Sequence, residues 1–586
     1  MRLKAKILVL SAGAASLSLA IAALAQEGPA TQSGPEIAPQ TTTGAPLAAP
    51  TAVETTTLAQ DAFSTGTLSA ANGALPRDLW RGADTETLEY LLLHAPARPT
   101  TPAIGEALRR VLLSPGAAPE AAAPSLGGKK LLALSRAGFV EEANTVASLS
   151  NGGRGDPWTG QALAISDLLK DDVARACQRN ANLSSGRDEL FWVKLRVLCY
   201  AEAGERDAAD LTFNILREQG SLSASEETLL SSLASGGAPK TPVATGSILE
   251  YVVARRLKLP MAPGLLENAE GGVLVAVARD AGANLATRLG AAREAVAMGV
   301  MEARELTSLM DSASFDVAEI GDAVTAALAR PVDPMTDALL YQSVKAMAAP
   351  EFLRDKAQRI SLALGLADRF PRAYALSLLY ADEIASLEGA IVSAEEAERF
   401  AVARMAVGDA VGAGQWLLAM IGESGSLSAL PQPQAMAFID RVNLLAALDP
   451  QTAAQIARTA GVSLIAAESA VYDDRAGRAN PARTAAILKA AFDAAVDAIS
   501  GQAALAALAA AGPGDANDGA GESGVGEIND VVVEQGLKIA GMSELLRRNK
   551  FERAWSSSFG AADIAQTGDV RVEQDGFTPR LKPSRG

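Results

Sequence analysis

Cys177 and Cys199 are the only cysteines of the chain. An oxidising compartment turns an even pair into a disulfide. The text between them, QRNANLSSGRDELFWVKLRVL, places a turn (Asn180 to Gly186) between two helices, so both thiols reach facing sides of one hairpin. As metal ligands they fall short, because two thiols leave a tetrahedral zinc unfinished and no histidine is near. The single histidine, His94, sits in LEYLLLHAPARP with Glu86 and Glu89 close in sequence. Catalysis by His94 would need a nucleophile and an orienting carboxylate, and no G-x-S-x-G motif occurs. A histidine in the last turn of a helix faces the helix's negative end, so His94 reads as structural. Asp515, Asn517, Asp518 and Gly519 have the composition of a calcium loop but not its spacing: Gly519 is fifth where the sixth is required, and Gly526 takes the twelfth place, which needs Glu. They read as linker. Neither G-x-G-x-x-G after a strand nor G-x-x-x-x-G-K-[ST] is present. No catalytic, metal or cofactor-binding residue follows, and no cofactor is expected.

Residues 463–480, SLIAAESAVYDDRAGRAN, resemble the catalytic Glu-Ser segment of lytic transglycosylases. The resemblance implies Glu468 as general acid with Ser469 beside it. Glycosidic cleavage needs such a carboxylic acid at the leaving oxygen. The family's next element, a Gly-Leu-Met-Gln run, is missing; Pro481 instead opens an amphipathic helix. The competing reading is a solvent-facing glutamate on a helix. A cell-wall enzyme using Glu468 is therefore the alternative function.

The elements that must position these residues begin with an export signal. Arg2, Lys4 and Lys6 precede the uncharged run Ile7 to Ile21, and Ala23-Leu24-Ala25 fits signal peptidase cleavage before Gln26. An uncleaved anchor is the alternative, but the run is short against the roughly 20 apolar residues a bilayer span needs. A periplasmic location is expected, with no transmembrane span in the mature chain. Losing those three cations takes the formal charge from −16 to −19. So acidic a chain repels phosphate backbones and anionic lipid, which excludes nucleic acid as a partner class.

Half the residues are apolar but only 4% aromatic. The apolar content is mainly Ala, Leu and Val, a mix that favours packed helices. Residues 26–60 are rich in Pro, Thr and Ala and read as a disordered tether. Residues 61–511 read as continuous helix and turn, 512–530 as a flexible linker, 531–560 as a short helical segment and 561–586 as a disordered tail. Four helices open on the same signature: Asp156-Pro157, Asp333-Pro334, Asp449-Pro450 and Asn480-Pro481. The Asp or Asn side chain accepts from a free first-turn N–H, and Pro loses no bond there. The five tryptophans read first as core anchors (Trp158, Trp192, Trp416), with Trp80 and Trp555 at the ends of the array or against a partner.

A looser pattern recurs around Gly138, Gly204, Gly299 and Gly408: an apolar helix, a Gly, polar residues, then a second apolar helix containing a small residue (Ala143, Ala209, Ala303, Ala413). Gly ends the first helix because it enters the left-handed region without penalty. The two best of these copies resemble the helix-turn-helix of tetratricopeptide-type repeats. The stretch Phe191 to Gly220 is similar to uncharacterised secreted proteins of Gram-negative bacteria. The glycine spacings are unequal, so the expected fold is all-α: an α-solenoid-like array of degenerate helical hairpins with a disordered N-terminal tether and C-terminal tail. Stacked hairpins present extended surfaces for proteins or peptides. The expected function is a periplasmic helical-repeat scaffold that binds a protein or peptide.

Overall fold

The computed structural model describes residues 61–462, apart from 120–122, 124, 151–154, 238, 240–245, 261–263, 388–389 and 423–424, and residues 500–511 and 533–566, apart from 535 and 539. Among the described residues the protein is all-α, with no strand. No helix there is long and apolar enough to cross a membrane.

The first eight helices are α1 (Thr85–Leu93), α2 (Pro102–Leu113), α3 (Ser125–Ala137), α4 (Val140–Leu149), α5 (Pro157–Leu169), α6 (Val173–Asn182), α7 (Leu190–Glu202) and α8 (Arg206–Glu218). Then come α9 (Ala224–Ser235), α10 (Ile248–Arg256), α11 (Leu265–Asn268), α12 (Gly271–Arg279), α13 (Leu285–Ala297), α14 (Ala303–Ser312), α15 (Val317–Gly321), α16 (Ala323–Ala329) and α17 (Pro334–Lys345). The remainder are α18 (Leu353–Gly365), α19 (Phe370–Leu379), α20 (Ala381–Ala385), α21 (Ala394–Ala406), α22 (Ala410–Ile421), α23 (Gln432–Leu448), α24 (Pro450–Ala460), α25 (Ser500–Ala511) and α26 (Ser543–Gln566). Helix α26 therefore runs six residues beyond the segment expected to end at 560.

Local chemistry sets the helix ends. Asp156 caps α5 by accepting from Thr159 N–H, Asp333 caps α17 through Met335 N–H, and Asp449 caps α24 through Gln451 and Thr452. Each is followed by Pro in the first turn, where the missing N–H costs nothing. The fourth such start, Asn480-Pro481, lies outside the described residues. Gly138, Gly204, Gly299 and Gly408 turn the chain between α3 and α4, α7 and α8, α13 and α14, and α21 and α22, with φ of 114°, 78°, 70° and 79°. The two helices of each pair pack on each other. Ala143, Ala209 and Ala413 are buried behind those turns, whereas Ala303 is only half-buried.

Most helices pack on their neighbours in sequence, but several contacts join distant parts of the chain. Helix α12 lies on α3 and α5. Helices α25 and α26 return to α1 and α2, and α26 also packs on α19 and α23. Gly501 N–H donates to Leu79 O at 2.9 Å, and Asp84 N–H to Gln502 Oε1 at 3.1 Å. Trp80 and Trp555 are buried where these ends meet: Trp80 against Phe63, Trp555 against Phe370. Val533, Leu537, Leu545, Phe551 and Trp555 are thus part of the core.

Charged side chains reinforce this centre. The fully buried Asp337 of α17 accepts from Arg293 of α13 and Arg372 of α19. Glu294, next in α13, accepts from Arg98 at 2.8 Å and Arg369 at 2.9 Å.

Candidate functional site

The expected site residues fall in separate places. Cys177 of α6 and Cys199 of α7 stand at disulfide distance, with Cα atoms 5.5 Å apart. They link two successive helices across the 183–189 connection. His94 follows α1; its Nδ1 lies 2.7 Å from Tyr90 O and its ring stacks on Tyr90 at 3.9 Å. It thus meets the carbonyl end of its own helix, while Glu89 pairs with Lys129 and accepts from Ser125. Glu468, Ser469 and the Asp515–Gly519 stretch lie outside the described residues. Of the tryptophans, Trp192 is wholly buried, and Trp158 and Trp416 are half-buried. Among the described residues no three His, Cys, Asp or Glu side chains gather as a metal site.

What the fold does assemble is a groove along α5, made of two adjoining cavities that share Lys170. The first is a cup of about 400 Å³ where the start of α4 and the end of α5 meet α10 and α12. Val140, Leu169, Val275 and Ala276 give it apolar walls, with Gly272 between them. Gly271 and Gly272 open α12, and a Cβ on them would sit 2.0 Å from Ala137 O and 2.6 Å from Ser135 O. Only hydrogen in place of a side chain lets α12 approach α3 this closely, and that approach closes the wall of the cup.

Charges of both signs ring the cup. Lys170 pairs with Glu141 at 3.2 Å, Arg255 with Asp280 at 3.2 Å, and Arg279 with Glu305 at 2.9 Å. The α5–α6 turn carries Asp171 with φ of 64°, in the left-handed region where a side chain is strained. Arg256 holds it there, donating to the Asp171 carboxylate at 2.9 Å and to its carbonyl oxygen at 3.3 Å. Beneath the rim, the Arg255 guanidinium lies 5.7 Å above the Tyr251 ring. Burial pushes the Tyr251 hydroxyl up to about 12.

The second cavity, about 830 Å³, continues between α4, α5 and α6. Most of the side chains that line it carry a polar or charged group. Asn144 donates to Ser166 at 2.6 Å, and Asp167 accepts from Arg179 at 2.5 Å, with Arg175 at 3.6 Å. Asp172 caps α6 through Arg175 N–H at 3.0 Å. The Cys177–Cys199 link lies on this same helix α6 and ties it to α7.

The sequence reading missed this groove. Its cations stand as Lys170, Arg175, Arg179, Arg255 and Arg279, scattered over four helix ends and faces that only the fold brings together. The available signals were local: Lys170-Asp171-Asp172 at a helix–helix turn and Arg255-Arg256 at a helix end.

No protein-family model, no curated protein and no solved structure matches the chain.

Proposed function

We propose that the chain is a periplasmic binding scaffold of tetratricopeptide-like helical hairpins whose α4–α5–α6 groove holds a segment of another protein or a peptide. The observation that carries this reading is the groove itself: a cup with an apolar wall and a two-signed charged rim, adjoining a second cavity at Lys170. Concave apolar sites with a few convergent polar groups are the usual form of a ligand pocket. The cysteine pair at disulfide distance supports a place outside the cytoplasm, as does the N-terminal signal-like segment. Equal numbers of cations and carboxylates line the two cavities, which suits neither a polyanion nor a polycation.

Pull-down from a periplasmic extract tests the reading when run with wild type and an Ala276→Trp variant, whose indole fills the cup. A partner retained by wild type and lost by the variant supports it. Absence of any retained partner across a range of salt concentrations overturns it.

A further inference from the structure

We infer that the occupant of the groove is an extended peptide about five residues long, its backbone paired to the carboxamides of Gln178 and Asn182 and one apolar side chain seated in the cup. This rests on the binding role proposed above and names its ligand.

Gln178 and Asn182 are one turn apart on α6, so both face the same way. Both are exposed and line the trough, and neither carboxamide has a partner among the described residues. A carboxamide offers N–H donors and a carbonyl acceptor, the same complement as a peptide unit. Two of them one turn apart suit a repeating backbone and read no side chain.

The trough's length fits the same ligand. Thr159 and Lys170, both on its wall, are separated by about 16 Å at the rise of an α-helix. An extended chain covers roughly 3.3 Å per residue, so about five residues run the distance. Alternate side chains of an extended peptide point to opposite sides. One set therefore faces the protein, and the cup at the Lys170 end receives one of them. Val140, Leu169, Val275 and Ala276 give that receptor an apolar wall.

Other chemistries fit less well. No aromatic ring lines either cavity among the described residues, so a sugar finds no stacking platform. The balanced charge of the lining gives a phosphate-rich ligand no net attraction.

The test uses the purified full-length chain and fluorescein-labelled heptapeptide pools, acetylated and amidated, each with one residue fixed at one position. Fluorescence anisotropy reads binding to wild type, to Ala276→Trp and to a Gln178→Ala/Asn182→Ala double variant, each checked for folding by circular dichroism. Pools with Leu, Ile, Val or Met fixed are expected to bind more tightly than pools with Asp or Lys fixed. Ala276→Trp is expected to abolish that preference. The double variant is expected to weaken all pools about tenfold, the effect of two hydrogen bonds. Pool binding that neither variant changes overturns this inference and leaves the binding role standing. Failure of every pool, with a folded partner still captured by wild type, does the same. Failure of every pool with no partner captured overturns both.

Discussion

Glu552 in α26 accepts a hydrogen bond from the backbone N–H of Ala103 at 2.8 Å, joining the last described helix to the first turn of α2. Next to it, Thr101 donates to Asn549 at 2.8 Å. Arg548, 3.3 Å from Glu552, also donates to the Tyr374 hydroxyl of α19 at 3.1 Å. One carboxylate therefore stands where three helices distant in sequence meet.

Burial raises the Glu552 carboxyl to about 7, with Arg548 and the Ala103 N–H pulling the other way. Between about pH 4.5 and 7 the folded chain keeps a proton that the unfolded chain has released. The resulting stabilisation is complete below pH 4.5 and is lost as pH rises through 7, on the order of 3 kcal/mol over the window. Glu552→Gln keeps an acceptor for Ala103 and removes the titration. The melting temperature of wild type is expected to fall more steeply than that of the variant between pH 5 and 8. Parallel profiles would show that Glu552 does not titrate in this range.

The turn glycines separate two costs of adding a side chain. Gly138 and Gly204 both have positive φ, which costs a non-glycine residue about 1–2 kcal/mol. A Cβ on Gly204 meets nothing within 4 Å, whereas one on Gly138 meets Val300 at 3.1 Å and the Gly271 carbonyl carbon at 3.2 Å. In urea unfolding, Gly204→Ala is expected to cost about 1 kcal/mol and Gly138→Ala about twice that. Equal losses would mean that the α3–α4 turn does not press on α12 and Val300.

The cysteine link should be worth about 3 kcal/mol by closing a loop in the unfolded chain. Urea unfolding of a Cys177→Ser/Cys199→Ser variant is expected to show that loss, and thiol titration of the unfolded, unreduced wild type should find no free thiol. Two titratable thiols would contradict the link.

Asp337 neutralises two nearly buried guanidinium groups, Arg293 and Arg372. Asp337→Asn takes the buried counter-charge from both, leaving Arg372 only Asp368 at 3.6 Å, and is expected to cost about 3–5 kcal/mol. The exposed Arg399–Glu395 pair is the control, and Glu395→Gln there should change stability by less than about 1 kcal/mol. Denaturation midpoints that do not separate the two variants would deny Asp337 its place in the core.

Features set by near neighbours were legible in the sequence. The Asp-Pro starts at 156, 333 and 449, the turns at Gly138 and Gly204 and the approach of Cys177 to Cys199 each depend on a few adjacent residues. Contacts that depend on distant surfaces fitting together were not. Gly271 reads as a weak helix former, yet its missing Cβ is what admits Ala137 O. Lysine is ordinarily a surface residue, yet Lys130 is fully buried, donating to Phe63 O and Thr65 O at 2.8 and 2.7 Å, with burial lowering it to about 7. The groove is of this second kind: Lys170, Arg255 and Arg279 look like solvated charges until α12 is seated on α3.

Site-specific photo-crosslinking tests the groove most directly. A benzophenone side chain placed at Ala147 in the trough or at the exposed Ala281 on the rim of the cup is compared with one at the exposed Thr325 of α16. With the tightest-binding peptide pool or a captured partner, crosslinks are expected from Ala147 and Ala281 and not from Thr325. Crosslinking from Thr325 alone, or equal yields from all three positions, would contradict a binding groove along α5.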